Sequence, residues 1–148
     1  EWEMAARGGA TGNRFPWRDA DTVHHARANY WSDTFYSFDT SPTRGYHPMY
    51  SNGAPPFTAP VGSFEPNDYG LFDMAGNIYE WCWDIYSGDY YAASPVTNPC
   101  GPTSGYYRIV RGAGWNSYGN GCRAAWRANV IENLATNVFG FRLVRSAR

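Results

Sequence analysis

The chain has 148 residues, a net charge of -1, and 18% aromatic against 17% charged residues. That length fits one domain of ordinary size. The aromatic content excludes a solvated, disordered chain, and the lack of any run of about 18 apolar residues excludes a membrane-spanning helix within it. Residues 1–104 carry five Arg and twelve acidic residues, whereas residues 105–148 carry seven Arg and one Glu. There is no Lys, and the Arg residues alternate with apolar ones. The basic end is therefore read as pairing with acids from the middle of the chain rather than as a nucleic-acid surface.

In chain order, Glu1 to Arg7 predicts the last turns of a helix, with Trp2, Ala5 and Ala6 on one side and Gly8-Gly9 as its stop. "FPW" at 15–17 predicts a turn carrying two core aromatics. Asp39 to Pro60 has five Pro, two Gly and no periodicity. It predicts a long ordered loop whose backbone groups must find partners among side chains, waters or ions. "YGLFDMAGNIYEWCW" at 69–83 is the densest apolar segment. Gly76-Asn77 predicts a turn in it and Ile78 to Trp83 a strand. Residues 87–105 predict another loop. Strands are expected at Arg108–Arg111, at Cys122–Arg127, and at Phe139–Arg145, where Phe139, Phe141 and Leu143 alternate with Gly140, Arg142 and Val144. The expected core anchors are Trp17, Trp81, Trp83, Phe139 and Phe141. No internal repeat occurs.

Few residue patterns carry chemistry. His24, His25 and His47 all lie in the front third, and no Gly-x-Ser-x-Gly elbow exists. Cys82, Cys100 and Cys122 form neither a CxxC nor a zinc pattern, which leaves one disulfide with a free thiol, or three reduced thiols. Cys82, between two Trp residues, reads as an inert buried thiol. Asp73 and Glu80 flank the Gly-Asn turn. Their side chains, with the carbonyls of Gly76 and Ile78, suit oxygen ligation of a hard cation such as calcium. The plainer alternative is two solvated or Arg-paired acids.

The segment 115–138 combines flat aromatics with short amides. Trp115, Asn116, Ser117, Tyr118, Asn120, Trp126, Asn129, Val130, Ile131, Asn133 and Leu134 form a candidate contact surface, since Trp and Tyr bring area at low entropic cost and Asn brings adaptable hydrogen bonds. The alternative is an ordinary surface loop in which Trp115 and Trp126 belong to the core.

Seven motifs in order, "EWEMAARGG" (1–9), "FPW" (15–17), "RANYW" (27–31), "TAPVGSFEPNDYGLFDMAGNIYEWCWD" (58–84), "RIVRGAGW" (108–115), "CRAAWR" (122–127) and "FGFRLVR" (139–145), resemble the formylglycine-generating-enzyme or sulfatase-modifying-factor domain family. The resemblance spans nearly the whole chain. It implies one α+β domain over 1–148, with a C-type lectin-like fold of irregular loops around short antiparallel strands, and a further N-terminal portion before Glu1. It implies calcium at Asp73, Gly76, Ile78 and Glu80.

The resemblance also implies an active-site cysteine pair in the segment matching "GAGWNSYGNGC". Asn116 and Ser117 stand where the first cysteine is expected, and the second is missing. The chain is therefore expected to be no enzyme. A second resemblance, to retroelement-diversified variable proteins such as the treponemal one, implies that 108–145 is a variable ligand-binding region framed by "CRAAWR" and "FGFR". The expectation is a noncatalytic, receptor-type, monomeric domain at the cell surface or outside the cell, binding a protein or glycan and no nucleic acid. Any signal or lipid anchor would lie outside this chain. The competing expectation is a formylglycine-generating-enzyme-like oxidoreductase or an accessory maturation factor.

Overall fold

The computed structural model describes residues 1–144. Only a small part is regular. Helix α1 spans Trp2–Arg7, strand β1 Tyr79–Ile85, helix α2 Tyr90–Ala93, strand β2 Tyr107–Arg111, strand β3 Ala128–Ile131 and strand β4 Phe139–Gly140, with a 3-10 turn at Gly119–Cys122. The sheet order is β3-β2-β1-β4. β2 runs antiparallel to both of its neighbours, while β4 is parallel to β1, so the sheet is mixed rather than wholly antiparallel. The fold is α+β with little regular helix.

Helix α1 ends where the glycine pair predicts, with Gly8 left-handed at φ 56° and its N–H bonded to the Ala5 carbonyl. Asn67 Nδ2 then donates to the carbonyls of Ala5 and Ala6, giving Ala5 a second donor and supplying one to Ala6 at the helix end. Two small cores follow. One is Phe15, Val23, Ala28, Tyr30, Ala75, Ala113 and Cys122, with Trp17, Phe38 and Tyr79 packed on it; the other is Ala6, Met74 and Ala124, with Trp2 and Leu71.

Since strands are short, buried polar side chains tie the loops. Asn77 Oδ1 accepts from the N–H of Ala59 and from Asn29 Nδ2, and Asn77 Nδ2 donates to the Ala59 carbonyl. Asp39 Oδ1 accepts from Tyr30 Oη, Ser32 Oγ, the Ser41 N–H and Arg44. These hubs supply the partners that the loop from 39 to 60 requires. Beside Asn77, Gly76 has φ 75°, and a Cβ there would lie 2.4 Å from the Asn29 carbonyl oxygen. Only glycine fits.

Three expectations fail. Trp83 is 86% exposed and Phe141 72% exposed, so neither is a core anchor; Trp17, Trp81 and Phe139 are half-buried. Residues 122–127 hold the end of the 3-10 turn and irregular chain, and β3 begins at Ala128. The strand expected over 139–145 stops at Gly140, and Arg145 lies outside the described residues. Arg142 turns toward Glu80 instead, a pair of the kind the charge asymmetry predicts, whereas Arg111 reaches Glu3 in the first helix at 3.2 Å.

Candidate functional site

The turn after β2 is unusual in its backbone. Gly112 and Ala113 both have positive φ, at 86° and 72°, and Ala113 is fully buried in the larger core. Left-handed alanine is uncommon and is kept only where its surroundings dictate it. The following Trp115 is 5% exposed, its backbone N–H on the Asn77 carbonyl at 2.8 Å. Tyr46 and Phe57 pack on its ring at 5.5 and 5.2 Å. Trp115 is thus a floor rather than a contact side chain.

On that floor, Ser117 Oγ donates to Tyr79 Oη at 2.9 Å and accepts from the Gly114 N–H at 3.0 Å. Asn116 and Tyr118 point outward, and the exposed Phe35 ring meets Tyr118 edge-on at 6.0 Å. The Ser117 carbonyl accepts from the Trp31 N–H, which joins the front loops to this turn. The result is a patch of Tyr79, Asn116, Ser117, Tyr118 and Phe35. It can bind by stacking and hydrogen bonding. The Tyr79 hydroxyl was not legible as part of it, since in sequence it belongs to a strand 38 residues away.

The remaining candidate contact residues sit on other elements. Asn120 lies in the 3-10 turn, half-buried. Trp126 is half-buried under Arg123, with its indole N–H buried and without an acceptor. On β3, Asn129 and Ile131 are exposed on one side and Val130 is half-buried on the other; Asn133 and Leu134 are exposed in the turn beyond.

The two acids of the cation set have different partners. Glu80 is buried and receives Arg142 on both carboxylate oxygens, with Arg142 Nε at 2.7 Å, as well as the Trp2 indole N–H at 2.6 Å. Arg142 Nη2 also reaches the carbonyls of Phe72 and Asp73 at 3.2 and 3.4 Å. A guanidinium therefore occupies the neighbourhood in which a divalent ion was expected. Asp73 Oδ2 accepts from the Gly62 N–H, while its Oδ1 is buried without a partner and is the atom of the set that best suits a cation. Calcium held by Glu80 would have to displace Arg142. Among the described residues, no group of three or more His, Cys, Asp or Glu is placed to hold a metal.

All three cysteines are free. Burial pushes the Cys82 thiol up to about 11 and raises Cys122 as well, so both are neutral at physiological pH. Cys82 opens on a cavity of about 190 Å³ lined by Trp2, Tyr91, Ile109, Arg111 and Arg127. Among the described residues no helix is long and apolar enough to cross a membrane.

A family model described as a sulfatase-modifying factor enzyme 1-like domain matches residues 1–147. A formylglycine-generating enzyme of Streptomyces coelicolor is 38% identical over 99% of the chain, and one of Thermomonospora curvata 42% identical over 96%. The chain spans 45% and 46% of those two, less than half their length. A mouse relative named inactive C-alpha-formylglycine-generating enzyme 2 is 31% identical over 99% of the chain. Among solved structures, Treponema denticola variable protein 1 superposes with a TM-score of 0.66 at 29% identity, covering 95% of this chain and 43% of that one. PvdO from Pseudomonas aeruginosa superposes with a TM-score of 0.67 at 27% identity, covering 95% and 48%.

These relatives correct one expectation. Exclusion of an enzyme on the lack of thiols at 116 and 117 does not stand when relatives at 38% and 42% identity over nearly the whole chain are named as enzymes.

Proposed function

Since the chain belongs to the sulfatase-modifying factor enzyme 1-like domain family, we propose that it serves formylglycine-generating-enzyme-like protein maturation, gripping a segment of a client polypeptide on the Tyr79–Ser117 patch. The likeness to the two bacterial enzymes over nearly the whole chain carries this reading. The patch supports it physically. Trp115 and the left-handed Ala113 fix the backbone, so the polar edges of Asn116, Ser117 and Tyr79 meet a ligand with little ordering cost. The C-type lectin-like form of the fold belongs to the same proposal.

The experiment uses the full-length protein and a cysteine-containing peptide. Mass spectrometry reads conversion of the cysteine to formylglycine, and calorimetry reads binding. Conversion identifies the oxidoreductase; saturable binding without conversion, weakened by Asn116→Ala, identifies the accessory factor. Either outcome supports the proposal in one of its two forms, and the loss of both ends it.

A second reading, a diversified recognition surface outside the cell, is favoured by the exposure of Asn116, Tyr118, Asn129, Ile131, Asn133 and Leu134 and by the likeness to the treponemal protein. Sequencing further copies of the gene tests it: identical residues 108–145 in every copy would defeat it.

A further inference from the structure

Two imidazoles lie side by side under the long front loop. His25 and His47 are 4% and 8% exposed, with ring centroids 5.0 Å apart. Both nitrogens of each ring are engaged. His47 Nε2 lies 2.8 Å from the His25 carbonyl, and His47 Nδ1 accepts from the Met49 N–H at 3.2 Å. A carbonyl only accepts and a backbone N–H only donates, so His47 must be neutral and carry its proton on Nε2. His25 Nε2 likewise faces the Tyr30 carbonyl at 3.1 Å, and its Nδ1 faces the Thr43 hydroxyl at 2.9 Å.

A second proton on His47 would set N–H against N–H at Met49. It would also place a charge beside His25, in a site otherwise walled by Tyr50 at 4.5 Å and Phe64 at 5.8 Å. The ionisable groups facing His47 are thus His25 and Tyr50. Those facing His25 are His47, Tyr30 and Asp39, and Asp39 is already committed to Tyr30, Ser32 and Arg44. No free carboxylate among the described groups offsets the new charge.

The loop's next residue back carries the consequence. Tyr46 packs edge-on to Trp31 at 4.3 Å and to Phe57 at 4.7 Å, and it touches Trp115, the floor of the patch. We propose that the His25–His47 pair is an acid-sensitive latch: protonation of His47 releases the segment 46–57 and withdraws Tyr46 and Phe57 from Trp115. Its effect on the patch rests on the client-binding reading, whereas the latch itself is read in the free protein.

Burial holds both imidazoles below their ordinary value of 6.5, with His47 adding to the effect at His25. The unfolded chain then binds more protons than the folded one, so stability rises with pH. The contribution is complete above 6.5 and is lost as pH falls below it toward the folded-state values.

The test follows nitrogen-labelled histidine by NMR in the free protein from about pH 8 to about pH 4.5, across the range in which imidazoles ordinarily titrate, alongside melting curves of wild type and His47→Gln. Glutamine can donate to the His25 carbonyl and carries no charge. Expected are a neutral, Nε2-protonated His47 at neutral pH and a Trp115 indole resonance that shifts together with its protonation. His47→Gln should lose the His47 share of the acid limb of the melting profile and keep that of His25. An ordinary exposed-imidazole titration of His47, or a His47→Gln profile that keeps the whole wild-type acid limb, overturns the latch. Should that variant fail to fold, the wild-type titration decides alone. Failure of peptide to bind at every pH overturns the client-binding reading and leaves the latch untouched.

Discussion

Asparagine does opposite work in two regions of this molecule. In the front and middle, Asn29, Asn67 and Asn77 are buried and tie loop to loop. In the C-terminal third, Asn116, Asn129, Asn133 and Asn137 are all exposed. The residue type is the same, so its chemistry does not decide the role. What decides is whether the local chain turns the amide toward backbone groups that have lost water. A fold with so little helix and strand leaves many such groups, and each needs a partner. The exposed set faces no such demand and is available for contact with something else.

That contrast can be broken at its strongest point first. Gly76→Ala should abolish cooperative folding in a urea melt followed by tryptophan fluorescence, because its Cβ would collide with the Asn29 backbone. A wild-type melt would show that the segments at Gly76 and Asn29 are not as close as described. Asn77→Ala should cost about 3 kcal/mol, since it leaves the buried Ala59 N–H and carbonyl unpaired. Arg142→Ala should cost roughly 2 kcal/mol, by leaving Glu80 buried with only the Trp2 indole as donor. The same variant sharpens the question of calcium. If Asp73 and Glu80 bind the ion, calcium should raise the melting temperature over chelator, and by more once Arg142 is gone. Equal temperatures in both buffers and both proteins would remove the ion. Smallest of all, Asn116, Asn129 and Asn133 changed together to Ala should each contribute within about 0.5 kcal/mol of zero, as exposed positions do. Peptide binding by calorimetry should weaken all the same. A triple variant that unfolds early would show these amides to be structural after all.

The sequence made the helix stop at Gly8, the turn at Gly76-Asn77 and the centres of β1 and β2 legible, because each has a local cause. Alternation misled at the end of the chain. Gly140 sits against Ile78, where a Cβ would lie 2.3 Å from its Cδ1, and Arg142 leaves strand direction to reach Glu80. Phe141 is then exposed although its spacing says core. Trp83 lies within a register irregularity between Trp81 and Ile85, which period-two reasoning cannot foresee. For the candidate site, the exposure of Asn116 and Tyr118 was legible, while Ser117 is half-buried and bonded inward. Tyr79 was not legible, since its hydroxyl meets Ser117 only through tertiary folding. The coupling of His25 to His47 was hidden likewise, by a sequence separation of 22 residues.

Glu80 has a consequence for how the molecule comes apart. Its single carboxylate is shared by Trp2 from the first helix and Arg142 from the last described stretch. Fraying at one extremity therefore strips a donor from the same anion that secures the other. The two extremities should open as one unit, and amide exchange in α1 should speed up when Arg142 alone is replaced.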